Sequence, residues 1–144
     1  MRSILVDAGP IIALFDKDDK YHHLIVDFLK EYKGNLVTCW PVITEASHLL
    51  SFNVNVQIDF LEWLRREAVT IINLESEHIN RIIQLYKKYS DVPMDLADSS
   101  LIVIAELTGI RDIITIDSDY YIYRTKSKKF LNNVLSDFIK KRKK

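Results

Sequence analysis

Four short, almost unbroken apolar runs punctuate the chain, over residues 3–6, 36–39, 69–74 and 112–116. They do not alternate apolar with polar, which is the pattern of a strand buried on both faces. Between them the apolar positions fall three and four apart, the period of a helix with one face turned inward. That spacing predicts helices over 11–15, 21–32, 42–50, 58–66, 75–89 and 95–107, and a last one over 132–140. The 95–107 segment is the most apolar of these and reads as a buried helix. Gly9-Pro10 reads as a turn, 53–55 as a break, and Gly34 and Gly109 as helix stops. Residues 121–124 are β-prone and read as a fifth, short edge strand.

Strands alternating with helices imply a parallel sheet covered on both faces. The expectation is therefore an α/β chain: one three-layer α/β/α domain over 1–139, with a central parallel sheet of four to five strands. Composition agrees, since 48% of the 144 residues are hydrophobic and there are three glycines and three prolines, too few for a flexible linker. Cys39 is the single cysteine, so no disulfide framework is available and a reducing compartment is expected. No apolar run approaches the roughly 20 residues that span a bilayer, and Met1 leads straight into a strand. These features read as a soluble, cytoplasmic protein with no membrane partner.

Charge is balanced overall but not along the chain. Residues 140–144 are all Lys or Arg, which leaves 15 basic against 20 acidic residues over the remaining 139. A basic C-terminal tail of this kind suits a phosphate-bearing partner, or is simply a solvated terminus.

Ligands of open parallel sheets bind beyond the carboxyl ends of the strands. Four carboxylates fall there. Asp7 ends the first strand, Glu45 lies early in the helix after the second, Asp98 early in the apolar helix, and Asp117 ends the fourth strand. Gathering such charges in a cleft is electrostatically costly unless a hard cation neutralises them. Mg²⁺ and Mn²⁺ prefer oxygen ligands, and there is no Cys/His spacing that would favour zinc. A pair of such ions suits the in-line displacement of a phosphodiester by activated water.

The segments holding these residues form a pattern. Ile4-Leu5-Val6-Asp7-Ala8-Gly9-Pro10-Ile11-Ile12-Ala13-Leu14, Val42-Ile43-Thr44-Glu45-Ala46, Met94-Asp95-Leu96-Ala97-Asp98-Ser99-Ser100-Leu101 and Thr115-Ile116-Asp117-Ser118-Asp119-Tyr120 resemble, in order, the four acidic motifs of the PIN-domain nucleases. The resemblance covers nearly the whole chain. It implies a Mg²⁺- or Mn²⁺-dependent endoribonuclease, with Asp7, Glu45, Asp98 and Asp117 as catalytic and metal-binding residues. Asp119 reads as a substitute for or auxiliary to Asp117, and Asp95 as a helix cap or an auxiliary that supports the site. It also implies RNA as substrate, an antitoxin protein as partner in the manner of the VapC-like toxins, and a homodimer. One departure stands out: Ala8 and Gly9 occupy positions where many members carry Ser, Thr or Asn after the first Asp.

Other features read more simply. His22 and His23 are adjacent on a helix and point about 100° apart, so they do not share an ion. Trp40 and Trp63 read as core or interface anchors, and Cys39 as a small buried hydrophobe. Thr44, Ser99 and Thr115 neighbour the carboxylates and either orient them or follow local propensity. Basic residues over 124–129 follow Asp117 and are candidates for an RNA path. An aspartyl-phosphate phosphatase would want an Asp where Gly9 stands, and a receiver domain would want one near Glu75 with a partner Lys. The non-enzymatic rival is an inactive PIN-like RNA-binding or assembly module.

Overall fold

The computed structural model describes residues 1–143, apart from the side chains of Ser118 and Tyr121. Five strands, β1 (Ser3–Val6), β2 (Asn35–Thr38), β3 (Thr70–Ile71), β4 (Asp112–Ile114) and β5 (Asn132–Asn133), form one sheet in the order β3-β2-β1-β4-β5. Every neighbouring pair is parallel, with Leu5 opposite Val37 on one side and Ile113 on the other. Seven helices cover the sheet: α1 (Ala8–Phe15), α2 (His22–Glu31), α3 (Trp40–Leu49), α4 (Val54–Arg65), α5 (Ile79–Lys88), α6 (Leu96–Thr108) and α7 (Val134–Arg142). Crossovers between parallel strands are right-handed almost without exception, so this strand order puts the connections leading outward from β1 and the connection returning to β4 on opposite faces of the sheet. The expected three-layer α/β/α architecture follows.

The chain leaves β1 toward β2 on one side, and β4 arrives on the other, so the order reverses between β1 and β4. Such a switch point opens a crevice at the carboxyl ends of the two strands, because their following segments diverge to opposite faces. Ile4, Leu5, Val37, Ile113 and Ile114 bury the sheet, and Leu101, Ile102 and Ile104 of α6 pack into the same core. Gly109 ends α6 at φ +78°, a left-handed conformation that glycine adopts without a Cβ clash.

Several boundaries differ from the sequence expectation. Gly9-Pro10 is not a turn; it lies in the first turn of α1, where a missing proline N–H costs nothing. The break at 53–55 is a helix start, with the Asn53 side chain accepting from the Asn55 N–H at 2.8 Å. The strand expected over 121–124 does not form. A 3₁₀ turn (Ser118–Tyr121) runs into its first residue and 122–124 form no regular element, with Tyr120 and Tyr123, three apart, both buried. Asn132–Asn133 supplies the edge strand instead, although the pair has no apolar pattern to announce it. α7 runs through Arg142, so the first basic residues after 139 are helical, and Arg142 pairs with Asp27 at 3.1 Å; Lys144 lies outside the described residues. Among the described residues no helix is long and apolar enough to cross a membrane.

Candidate active site

The crevice between β1 and β4 holds the acidic residues. Asp7 follows β1 directly and caps α1, its Oδ1 accepting the Ala8 N–H at 2.8 Å. Its backbone N–H reaches Ile114 O at 3.2 Å, which extends the β1–β4 pairing to the lip of the crevice. Asp117 lies just beyond β4 and caps the following 3₁₀ turn through the Asp119 N–H at 2.9 Å. Asp98 sits in the first turn of α6, in a reciprocal capping box with Asp95: the Asp98 N–H donates to Asp95 Oδ1 at 2.8 Å and the Asp95 N–H to Asp98 Oδ2 at 3.3 Å.

Asp7, Asp98 and Asp117 each offer a carboxylate oxygen within 4.8 Å of the other two. Residues more than a hundred positions apart in sequence thus meet in one pocket. Asp7 and Asp98 are buried, and Asp117 is half-buried. Glu45, from α3, and Asp95 line the same cleft of about 320 Å³, together with Ala8, Gly9, Ile12, Leu49 and Ile116. Among the described residues, no basic side chain belongs to that lining. Asp119 stands apart from the three-oxygen cluster and from this lining.

The protonation equilibria record the crowding. Burial is the chief cause that pushes Asp7 up to about 6, although the Thr115 hydroxyl and the Ala8 N–H pull it down; Asp117 and Asp95 add repulsion. Glu45 is pushed up to about 7, first by desolvation and then by Asp95, Asp7 and Asp117. Asp98 is raised by burial first, and then by the Asp95 and Asp7 charges. Three carboxyls displaced upward, by burial first and by neighbouring carboxylates second, mark a site short of positive charge. A hard divalent cation fits this donor set: all the donors are carboxylate oxygens, they converge, and the described residues that line the cleft supply no cation.

Thr115 links two of the carboxylates. Its hydroxyl donates to Asp7 Oδ2 at 2.8 Å and accepts the Asp117 N–H at 2.9 Å. That bond reaches Asp7 from the residue just after β4, on a chain whose Ala8 and Gly9 have no hydroxyl to offer. Thr44 and Ser99 do otherwise: their hydroxyls bond back to the Trp40, Asp95 and Leu96 carbonyls of their own helices. Sequence reasoning placed Tyr120 at the end of the fourth motif but gave it no role in the site, where its buried hydroxyl donates to Asp98 Oδ1 at 3.1 Å. Nothing in an aromatic run distinguishes a tyrosine that meets a carboxylate from one that fills a core.

The remaining candidates separate cleanly. Trp63 packs on Phe15 and Phe60, whereas Trp40 is 53% exposed and is not a core residue. Cys39 is buried, and burial pushes its thiol up to about 11. His22 Nδ1 lies 2.7 Å from Ala13 O. Within the 124–129 segment, the Lys126 N–H bonds Glu106, two turns along α6 from Asp98. The Arg124 guanidinium lies over Phe130, 4.4 Å from the ring centre.

Residues 4–127 match the PIN domain as a sequence family. Ribonuclease VapC26 of Mycobacterium tuberculosis is 23% identical over 120 residues, spanning 82% of this chain and 89% of that protein. The crystal structure of M. tuberculosis VapC20, described as a Sarcin-Ricin loop cleaving toxin, superimposes with a TM-score of 0.75 at 15% identity. It covers 83% of this chain and 93% of VapC20.

Proposed function

This chain belongs to the PIN-domain family, and we propose that it is a divalent-metal-dependent endoribonuclease, the toxin of a toxin–antitoxin pair. The observation that carries the proposal is the convergence of Asp7, Asp98 and Asp117 within 4.8 Å of one another at the sheet's switch point. Asp7, Asp98 and Asp117 would hold Mg²⁺ or Mn²⁺, and Glu45 would complete the donor set from the α3 side of the cleft. A divalent cation bound there supplies positive charge for a phosphoryl oxygen and activation of the attacking water.

The protein's own part is to position and to exclude. β1 and β4 fix Asp7 and Asp117 through the sheet, and the Asp95–Asp98 capping box fixes the start of α6. Ile12, Leu49 and Ile116 form an apolar wall to the cleft, which lowers the local dielectric and strengthens each charge interaction inside it. RNA as substrate and an antitoxin as partner are the readings that VapC26 and VapC20 support. A homodimer is the reading that the exposed stripe of Val54, Ile58 and Leu61 on α4 supports, since surface of this kind is commonly covered by association.

Cleavage of total RNA by the purified chain tests the assignment. Activity is expected with Mn²⁺ or Mg²⁺, none with EDTA, and none in Asp7→Asn or Asp98→Asn despite folded circular dichroism spectra. Full activity in both variants, or in EDTA, would end it. The same assay excludes the inactive-module alternative if wild type cleaves.

A further inference from the structure

Tyr120 is 2% exposed, and its hydroxyl points at the one carboxylate of the cluster that comes from a helix rather than a strand end. A buried tyrosine hydroxyl always needs an acceptor, and the economical choice is a backbone carbonyl, as Tyr123 shows by donating to Pro93 O at 2.9 Å. Tyr120 bonds Asp98 Oδ1 instead, at 3.1 Å, while the Asp95 N–H bonds Oδ2 at 3.3 Å. With one donor on each oxygen, the carboxylate plane of Asp98 is held against rotation.

The ring itself has little freedom. It meets Tyr123 edge-on at 5.3 Å and 82°, and Tyr123 in turn meets Tyr89 at 5.1 Å and 68°. The 3₁₀ turn (Ser118–Tyr121) that brings Tyr120 to Asp98 is the turn that Asp117 caps. The stretch from Thr115 to Tyr120 therefore ties all three carboxylates: Thr115 bonds Asp7 and the Asp117 backbone, and Tyr120 bonds Asp98.

We infer that Tyr120 is a positioning residue that orients Asp98 for the divalent cation and couples α6 to the Asp117 turn. This rests on the reading above that Asp98 holds the cation. Hydrogen-bond partners of metal ligands set ligand orientation, and losing one weakens metal affinity by about 10- to 100-fold. Tyr120→Phe removes the hydroxyl and keeps the ring in its stack.

The test measures Mn²⁺ dissociation constants by electron paramagnetic resonance of free Mn²⁺ for wild type, Tyr120→Phe and Tyr123→Phe, all full-length. Tyr123→Phe deletes a comparable hydroxyl that bonds a carbonyl. The expected result is a dissociation constant raised about tenfold in Tyr120→Phe alone. Its melting temperature in EDTA should stay near wild type, and its cleavage should show a lower kcat at unchanged KM for RNA. Equal affinity in Tyr120→Phe and wild type overturns the inference. So does an equal loss in both variants, which would signal general loosening of the tyrosine stack. Absence of Mn²⁺ binding in wild type would instead overturn the metal reading itself, and this inference with it.

Discussion

Replacing Asp7 by Asn should stabilise the metal-free protein at neutral and alkaline pH and destabilise it slightly in acid. The Asp7 carboxyl is raised from 3.8 to about 6, mainly by burial. A raised value means that the folded state binds this proton more tightly than the unfolded chain does. Stability from this group is therefore full below about pH 4 and falls as pH rises toward and through 6. At pH 8 the loss is about 3 kcal/mol, from about 1.4 kcal/mol for each pH unit of displacement. Asn carries no charge and escapes that loss. It keeps the cap on the Ala8 N–H, because Asn is about as good an N-cap as Asp. It disturbs the Thr115 bond, since the Thr115 hydroxyl now donates to Asp7 Oδ2, and that costs about 1 kcal/mol.

The net at pH 8 is a gain of about 2 kcal/mol, or roughly 4–8 °C in melting temperature for a domain of this size. At pH 4 only the lost bond remains, and the variant melts lower than wild type. Thermal unfolding followed by circular dichroism in EDTA at several pH values reads both signs. Added Mn²⁺ should reverse the order at pH 8, because wild type gains about 2.7 kcal/mol at a hundred times its dissociation constant while the variant lacks a ligand. A variant that melts lower than wild type by the same margin at pH 4 and pH 8 would refute the reasoning. Asp7 would then be an ordinary helix cap whose charge costs nothing.

Two further outcomes probe parts of the fold that frame the site. Arg81 grips Glu106 through two bonds, Nε to Oε1 at 2.9 Å and Nη2 to Oε2 at 2.7 Å, with side chains only 19% and 13% exposed. Glu106→Gln leaves a largely buried guanidinium without its counter-charge and should cost about 2–4 kcal/mol in urea denaturation; a loss under about 0.5 kcal/mol would show that α5 and α6 are held by apolar packing alone. Gly34 lies where an added Cβ would stand 2.5 Å from the Arg2 carbonyl oxygen. Gly34→Ala should therefore shift the start of β2 and lower stability by about 1–3 kcal/mol, and an unchanged melting temperature would show that the backbone at this approach yields without cost.

The residues themselves specified the elements that bury a continuous apolar surface. Runs such as Ile4-Leu5-Val6 and Ile113-Ile114 are strands in the structure because two-sided burial requires an unbroken apolar sequence, and such a sequence is visible without coordinates. The same holds for α6, whose apolar residues interrupted by Asp98 announce a buried helix carrying a charge that needs a reason to be there. Motif order was equally legible, and with it the four acidic positions as candidates. Local chemistry was less so. Gly9-Pro10 fits a turn and a helix start equally well, and only the capping bond from Asp7 decides between them. The edge strand at Asn132–Asn133 exists because Asn132 lies opposite Asp112 and Asn133 opposite Ile113, a pairing of segments some twenty residues apart.

Distance was what tertiary structure alone decided. Sequence places Asp7, Asp98 and Asp117 at element ends, but their meeting within 4.8 Å depends on β1 and β4 being neighbours at the switch point. It likewise depends on the sheet order that Glu45 and Asp95 line this cleft and that Asp119 stands outside it. The roles of Thr115 and Tyr120 arise the same way, since a threonine hydroxyl can equally bond its own backbone and a buried tyrosine hydroxyl a carbonyl elsewhere, as Tyr123 does. Periodicity is a property of neighbours along the chain and survives in the sequence. A site made of side chains from four different elements is a property of the packed fold, and only the packing of the sheet and helices selects it.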